Sequence, residues 1–132
     1  MRIYYSEKTG GVWPPNPEIV SGTSTPASNK FPQLDLDNDG NPHVTWSGWD
    51  GASIYRIYYS EKTGAAWSPM ENISGSLAAS PTDNQNPRIT LDTGGNPHVT
   101  WTGNGGPFTS VYYSENIKYT ISANANPPRA GP

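Results

Sequence analysis

The sequence predicts an all-β protein assembled from repeated units, and three observations support this fold class. Residues 3–10 recur unchanged at residues 57–64, and a degraded copy begins at residues 111–115 with Val in place of Ile, so the repeat starts at positions 3, 57 and 111, a step of 54 residues each time. Residues 40–46 return identically as residues 95–101. The 132 residues include 14 Gly, 14 Pro, 5 Trp and 8 Tyr, which is typical of short aromatic strands joined by turns. A period of this length indicates units that bury their apolar faces against one another.

Ten short strands are expected, from the two-residue alternation of half-buried strands and from the Gly, Pro and Asn turns between them. In the first complete unit Leu34 and Leu36 point to one side of a strand, and Gln33 and Asp35 point to the other. Residues 38–41 form the turn of a hairpin. The predicted strands are residues 2–6, 19–20, 31–37, 42–47, 53–60, 70–74, 87–92, 97–102, 109–114 and 119–122.

Four antiparallel strands per repeat, with a Trp on the second strand and another after the third, describe one blade of a β-propeller. The chain begins inside such a unit, so it holds about two and a half four-stranded blades. The repeat segment, residues 1–122, is therefore divided into a half blade at 2–22, a blade at 31–75 and a blade at 86–122. Residues 123–132, rich in Pro, Asn and Ala, are expected to form a disordered or extended tail.

The turn after each third strand resembles the Asp-box of sialidase-like propellers. Ser6, Gly10 and Trp13 have the spacing of the pattern Ser-x-Asp-x-Gly-x-Thr-Trp, and this spacing returns 54 residues later, with Lys8 and Lys62 at the Asp position. Over nearly its whole length the chain is similar to the Asp-box, or bacterial neuraminidase repeat, branch of β-propellers. The resemblance implies that the box is a structural turn and that Trp side chains act as inter-blade anchors: Trp13, Trp46, Trp67 and Trp101.

Two and a half blades do not close a propeller, which has typically four or more. The open faces are therefore expected to meet copies of the same chain, or further blades of a longer chain, in a ring or in an open-ended array. Small bacterial fucose-binding lectins provide a precedent, because they resemble this chain in having two blades per subunit and complete a ring by trimerising. The sugar-contact pattern of these lectins is not evident in the sequence, so only their mode of assembly is carried over. The expected partners are copies of the chain or further blades of a longer chain, with glycans as a further expected partner.

Charge and hydropathy exclude two other classes of partner. The net charge of −3 gives no electrostatic basis for binding nucleic acid. No apolar run reaches the length of a transmembrane helix, and the sequence from Met1 lacks the basic and apolar segments of a signal peptide. The absence of Cys excludes disulfides and thiol chemistry. The resemblance implies an extracellular or cell-surface protein of a prokaryote.

One loop carries the candidate ligand contacts. Trp49 and Tyr55 bracket residues 50–52, and Arg56 follows directly. Aromatic rings beside polar groups suit the apolar face of a sugar, as in lectins. They suit a contact between two blades equally well, so both interpretations stand for this loop.

A second candidate is a calcium site in the hairpin turn. Asp35, Asp37 and Asp39 precede Gly40, which gives carboxylates at positions one, three and five and a Gly at position six, as in a calcium loop. A turn with surplus acid fits the same residues. No cofactor other than this possible Ca²⁺ is expected.

No catalytic residues are predicted. A sialidase needs three arginines around a carboxylate, a Tyr–Glu nucleophile and an acid/base Asp. His43 and His98, which occupy the same place in two repeats, are interpreted as packing or hydrogen-bonding residues. The sequence therefore favours a non-enzymatic β-propeller module acting in self-assembly or in surface or carbohydrate binding; the alternative is a fragment of a sialidase-like glycosidase propeller. The arginines, none of them in the family's Arg-Ile-Pro motif, are Arg2, Arg56, Arg88 and Arg129.

Overall fold

The computed structural model describes residues 1–22, 28–52, 54–75, 81–105 and 109–115. Over these residues the chain is all-β, as predicted, with three antiparallel sheets and no helix. The described part accordingly contains no helix long and apolar enough to cross a membrane. The sheets follow one another along the chain and are called the first, middle and third sheet.

The three sheets differ in the number of strands described. The first sheet pairs two short strands, β1 (Tyr4–Tyr5) and β2 (Glu18–Ile19). The middle sheet contains β3 (Asn29–Leu36), β4 (Pro42–Trp49), β5 (Tyr55–Thr63), β6 (Ala66–Trp67) and β7 (Glu71–Asn72). The third sheet contains β8 (Thr82–Leu91), β9 (Pro97–Asn104) and β10 (Thr109–Glu115), with β9 in the centre.

The middle sheet is a meander in which β3, β4, β5 and β7 pair antiparallel in chain order. Strand β6 is the return arm of a short hairpin with β5, in a turn where Gly64 has a φ of 63°. Residues that face each other across an antiparallel pair share a side of the sheet. The front face of the middle sheet thus carries Val44, Trp46 and Tyr58, and its back face carries His43, Thr45, Ile57 and Tyr59.

The third sheet repeats this arrangement one unit later. Strand register places Trp101 opposite Tyr112 and Thr100 opposite Tyr113, as it places Trp46 opposite Tyr58 in the middle sheet. Its front face carries Val99, Trp101 and Tyr112, and its back face carries His98, Thr100, Val111 and Tyr113. In the first sheet, by the same 54-residue step, Ile3 and Tyr5 lie on the back face and Tyr4 on the front face.

Two hydrophobic cores join the sheets, in each case the back of one sheet to the front of the next. Full burial of an aliphatic or aromatic side chain contributes about 1.5–3 kcal/mol, so these cores stabilise the stack. The first core contains Ile3, Tyr5, Val20, Val44, Trp46 and Tyr58, with Trp67 and Met70 packed against it. The second core contains Ile57, Val99 and Trp101, with Ile73, Ile89 and Tyr112 packed against it.

Nine of the ten predicted strands have counterparts in the structure. The tenth, at residues 119–122, and the tail at 123–132 lie outside the described residues. Strands β3 and β8 begin earlier than predicted and pass through irregular register, where Phe31 and Asn86 have φ values of 56° and 53°. The alternation of residue types does not locate such a break, and the strand starts were therefore misplaced.

Strand β3, at the edge of the middle sheet, departs from the expected half-buried pattern. Leu34 and Leu36 do share a side, the front face, but both are about half exposed. The first sheet covers Val44 with its two short strands and leaves a groove of about 250 Å³ beside Leu34. The alternation was predicted correctly, but the leucine side is covered only in part.

Candidate functional sites

A buried asparagine ties the first sheet to the middle sheet. The Oδ1 atom of Asn29 accepts a hydrogen bond of 3.0 Å from the indole N–H of Trp46. The Nδ2 atom of Asn29 donates to the backbone carbonyl of Met1 at 2.8 Å. One fully buried side chain therefore satisfies the indole of its own sheet and a carbonyl of the preceding sheet.

The same bond set recurs between the middle and third sheets. Asn84 accepts from the indole N–H of Trp101 at 2.8 Å and donates to the carbonyl of Tyr55 at 2.8 Å. It also donates to the carbonyl of Pro81. These asparagines were not among the predicted site residues. A signal was present, because both stand three residues before a proline, at residues 29–32 and 84–87.

Four polar side chains form a network at one end of the middle sheet. His43 places Nδ1 2.6 Å from the hydroxyl of Tyr59 and Nε2 3.4 Å from Oδ2 of Asp37. The hydroxyl of Tyr59 donates to Oε2 of Glu61 at 2.8 Å. His43 and Tyr59 are buried, as expected for a packing or hydrogen-bonding histidine.

The third sheet carries the same Asp–His–Tyr–Glu network. His98 places Nδ1 2.6 Å from the hydroxyl of Tyr113 and Nε2 3.1 Å from Oδ2 of Asp92, and Tyr113 donates to Glu115 at 2.7 Å. Here the side chains are exposed to a much greater degree. In the first sheet the hydroxyl of Tyr5 likewise donates to Glu7.

The electrostatics of the network suit fixed hydrogen bonds. Burial and the hydrogen bond to Glu61 raise the pKa of Tyr59 well above its ordinary value. Burial and Glu7 likewise raise the pKa of Tyr5 to about 12. A tyrosine held in its neutral form is a hydrogen-bond donor and a poor nucleophile. The buried copy is therefore suited to orienting the strand ends.

The loop predicted to hold a ligand brings two of its three residues together. Trp49 and Tyr55 form an edge-to-face pair with ring centroids 5.2 Å apart, and both are half-buried. The ammonium of Lys30 lies 4.0 Å from the centroid of the Tyr55 ring, in a cation–π contact. The result is a partly exposed aromatic surface with a cation beside it.

Arg56 does not contribute to that surface. Its guanidinium lies 3.4 Å from Oδ2 of Asp50 and donates to the carbonyl of Gly75 at 2.7 Å. The residue is buried. Arg56 as a ligand contact stays a prediction; in the folded chain its donors stabilise the loop and the end of the unit.

The three candidate calcium ligands differ in their hydrogen-bond partners and in their exposure. Asp35 accepts the backbone N–H of Leu91 in the third sheet at 2.8 Å. Asp37 accepts the N–H groups of Asp39 and Asn41 within the turn. Asp39 is itself exposed. Among the described residues no three acidic, His or Cys side chains gather as a metal site, so the geometry supports the acidic-turn alternative.

The four tryptophans expected as anchors have different surroundings. Trp46 and Trp101 are buried in the two cores. Trp67 packs edge-to-face on Tyr5 of the first sheet at 5.2 Å. Trp13 is 59% exposed in the single chain, because no described sheet lies in front of the first sheet, so its role as an anchor between units stays a prediction.

The back faces of the middle and third sheets are alike in sequence and opposite in exposure. Ile57 and Tyr59 of the middle sheet are 0% and 3% exposed beneath the third sheet. Their counterparts Val111 and Tyr113 in the third sheet are 76% and 56% exposed. An aromatic and aliphatic face that is a core in one unit is thus a surface in the next.

Comparisons with known proteins add no assignment to this geometry. No family model, no curated protein and no solved structure matches the chain.

Proposed function

We propose that the chain is a non-enzymatic module of β-propeller type that functions by associating with further sheets of its own kind. The four-stranded meander of the middle sheet and the stacking of consecutive sheets, back to front, support the propeller architecture. Repetition of the asparagine bonds between sheets supports the same view, since equal contacts impose an equal step from one sheet to the next.

One observation carries the functional proposal: the exposed back face of the third sheet repeats a face that is fully buried in the middle sheet. Val111 stands where Ile57 forms the second core. Exposed apolar surface of this kind is typical of an interaction site. Further sheets, supplied by copies of the chain, would bury it.

The experiment is light scattering on a sizing column over a hundredfold range of concentration. We expect a defined multiple of the 14.3 kDa chain mass, decreasing to the monomer on dilution. Circular dichroism at each concentration shows whether the strands persist. A folded monomer at every concentration would contradict the proposal.

Carbohydrate binding is the second candidate, and the pair formed by Trp49 and Tyr55 favours it. Partly exposed aromatic rings are suited to the apolar face of a sugar. A glycan array is expected to show saturable binding that Trp49→Ala weakens by about tenfold or more, as for an aromatic anchor. Leu36→Ala, at an exposed residue at the other end of the middle sheet, is the control. If both variants bind the glycans equally well, this loop is not the sugar-binding site.

The glycosidase alternative is favoured only by the paired Tyr and Glu side chains. Tyr59 is buried with a raised pKa, and Arg56 is committed to Asp50 and Gly75. These features support a module without turnover. Hydrolysis of aryl-glycosides is therefore expected to stay at the rate of buffer alone; turnover that Tyr113→Phe abolishes would establish the alternative.

A further inference from the structure

Building on the proposed self-association, we infer that the partner is a second copy bound head to tail. The front face of its first sheet lies on the back face of the third sheet. Within the chain, every sheet-to-sheet contact already has this back-to-front sense. A second copy placed in this way adds one more contact of the kind that joins the first sheet to the middle sheet and the middle sheet to the third.

Each back face carries an aliphatic residue at the same repeat position. Ile3 shares the first core with Tyr58, and Ile57 shares the second core with Tyr112. The next aliphatic residue in this series is Val111. It has no further sheet over it among the described residues, and it is 76% exposed.

The matching front-face tyrosine is found at the other end of the chain. Tyr4 occupies the position of Tyr58 and Tyr112 in the first sheet, and it is exposed. Val111 of one copy and Tyr4 of a second copy would therefore form a core like the one that Ile57 and Tyr112 share within the chain. Two surfaces that lack their partners in the single chain are complementary to each other.

An aromatic contact gives the same register independently. Trp67 packs on Tyr5 of the preceding sheet with ring centroids 5.2 Å apart and planes at 74°. Trp13 holds the equivalent place in the first sheet, and Tyr113 is the equivalent of Tyr5 in the third. Both are exposed, so Trp13 of a second copy is expected to pack on Tyr113.

Charge supports this orientation. Lys62, in the middle sheet, lies 5.7 Å from the ring centroid of Tyr5 and pairs with Glu18 of the first sheet at 2.7 Å. Lys8 is the equivalent of Lys62 in the first sheet. In a second copy it would approach Tyr113 and the carboxylate of Glu115, which lie together in the exposed network. A basic residue thus meets an acidic surface.

A head-to-tail contact uses two different surfaces, which permits a complementation test. Val111→Lys blocks the tail and Trp13→Lys blocks the head. Both residues are exposed, and such substitutions usually change the free energy of unfolding by no more than about 0.5 kcal/mol. Phe31→Lys, at an exposed residue outside both surfaces, is the control.

We expect each blocked variant to be a monomer at concentrations where wild type associates, with affinity weakened by at least about tenfold, as for an interface anchor. An equimolar mixture of the two variants should give a dimer of twice 14.3 kDa, because one intact head meets one intact tail. The control should associate like wild type.

Blocked variants that associate like wild type would overturn this register and leave the proposed self-association intact. A mixture that stays monomeric would likewise overturn the head-to-tail arrangement. If either Lys variant is unfolded by circular dichroism, Val111→Cys and Tyr4→Cys replace them, since the chain has no other Cys.

In the mixture of these Cys variants a short bismaleimide should link Val111→Cys of one copy to Tyr4→Cys of the other, and each variant alone should stay unlinked. Monomeric wild type would refute the proposed function itself. A monomer whose Val111→Cys thiol is shielded would assign the face to residues 116–132 of the same chain and would overturn both proposals.

Discussion

The middle and third sheets carry the same polar network in two different environments. The distance between His Nδ1 and the tyrosine hydroxyl is 2.6 Å in both sheets. The hydroxyl lies 2.8 Å from Glu61 in the middle sheet and 2.7 Å from Glu115 in the third. Nevertheless Tyr59 is buried and Tyr113 is exposed.

This difference separates what a sheet determines by itself from what its neighbour determines. Strand register pairs His43 with Glu61 and His98 with Glu115, so the hydrogen bonds follow from the sheet alone. Burial depends on the next sheet. Since a hydrogen bond in a low-dielectric interior is stronger and costlier to leave unmade, the two networks should differ in energy despite equal geometry.

The largest loss of unfolding free energy is expected from substitution of a core tryptophan. Trp46→Ala removes a fully buried ring between two sheets and should lower the free energy of unfolding by about 3–5 kcal/mol. Trp13→Ala, at an exposed indole, should change it by less than about 0.5 kcal/mol in the dissociated chain. Urea unfolding followed by circular dichroism at low protein concentration measures both. Similar losses in both variants would contradict the described burial.

The asparagine bonds between sheets come next. Asn84→Ala leaves the indole N–H of Trp101 and the carbonyl of Tyr55 without their partner and should cost about 2–3 kcal/mol, as for buried groups left unsatisfied. Asn29→Ala, which removes the equivalent bonds to Trp46 and Met1, should cost a similar amount. Urea unfolding of the two variants tests whether both contacts between sheets have equal value. A loss below about 0.5 kcal/mol for Asn84→Ala would show that the sheets are joined by apolar packing alone.

The two network tyrosines provide the direct test of the comparison. Tyr59→Phe removes a buried hydroxyl that contacts both His43 and Glu61, and it should cost about 1–3 kcal/mol. Tyr113→Phe removes the same contacts where water replaces them, and it should cost less than about 0.5 kcal/mol. If both variants of the dissociated chain lose the same free energy of unfolding, burial does not determine how much the network stabilises the fold. If copies associate head to tail as proposed, a second copy covers Tyr113, and the cost of Tyr113→Phe should increase in the associated protein.

The repeats explain how much of the fold could be predicted from sequence. Identical segments at residues 3–10 and 57–64 imply equal strands, and the structure has strands there and at seven further predicted places. The starts of β3 and β8 were misplaced because bulges at Phe31 and Asn86 interrupt the alternation. Leu34 is exposed for another reason: a strand pattern shows which side is apolar, but it does not show whether a neighbouring sheet covers that side.

The site residues were harder to predict, because their roles depend on contacts between units. Arg56 follows an aromatic loop in sequence, but its bonds to Asp50 and to Gly75, 19 positions further on, form only in the folded unit. Asn29 and Asn84 resemble ordinary turn residues until the neighbouring sheet supplies a carbonyl. The acidic turn was predicted, but the N–H groups from which Asp35 and Asp37 accept hydrogen bonds are evident only in the folded chain.

The smallest expected effect is on the acidic turn and appears as a pH dependence. The side-chain amide of Asn41, together with backbone N–H groups and His43, holds the pKa of Asp37 at about 2, below the ordinary 3.8. A carboxylate with a lowered folded pKa stabilises the fold above its unfolded pKa and loses that contribution as the pH falls through the folded value. The free energy of unfolding should therefore decline between about pH 4 and pH 2, and Asp37→Asn should flatten part of that decline.

Asp92, whose pKa is also lowered but whose turn is more exposed, should contribute less to this decline, and added salt should reduce its contribution first. Urea titrations of wild type, Asp37→Asn and Asp92→Asn across this range test the order. If Asp92→Asn flattens the pH dependence of the free energy of unfolding more than Asp37→Asn does, the exposed turn, and not the half-buried one, controls acid stability.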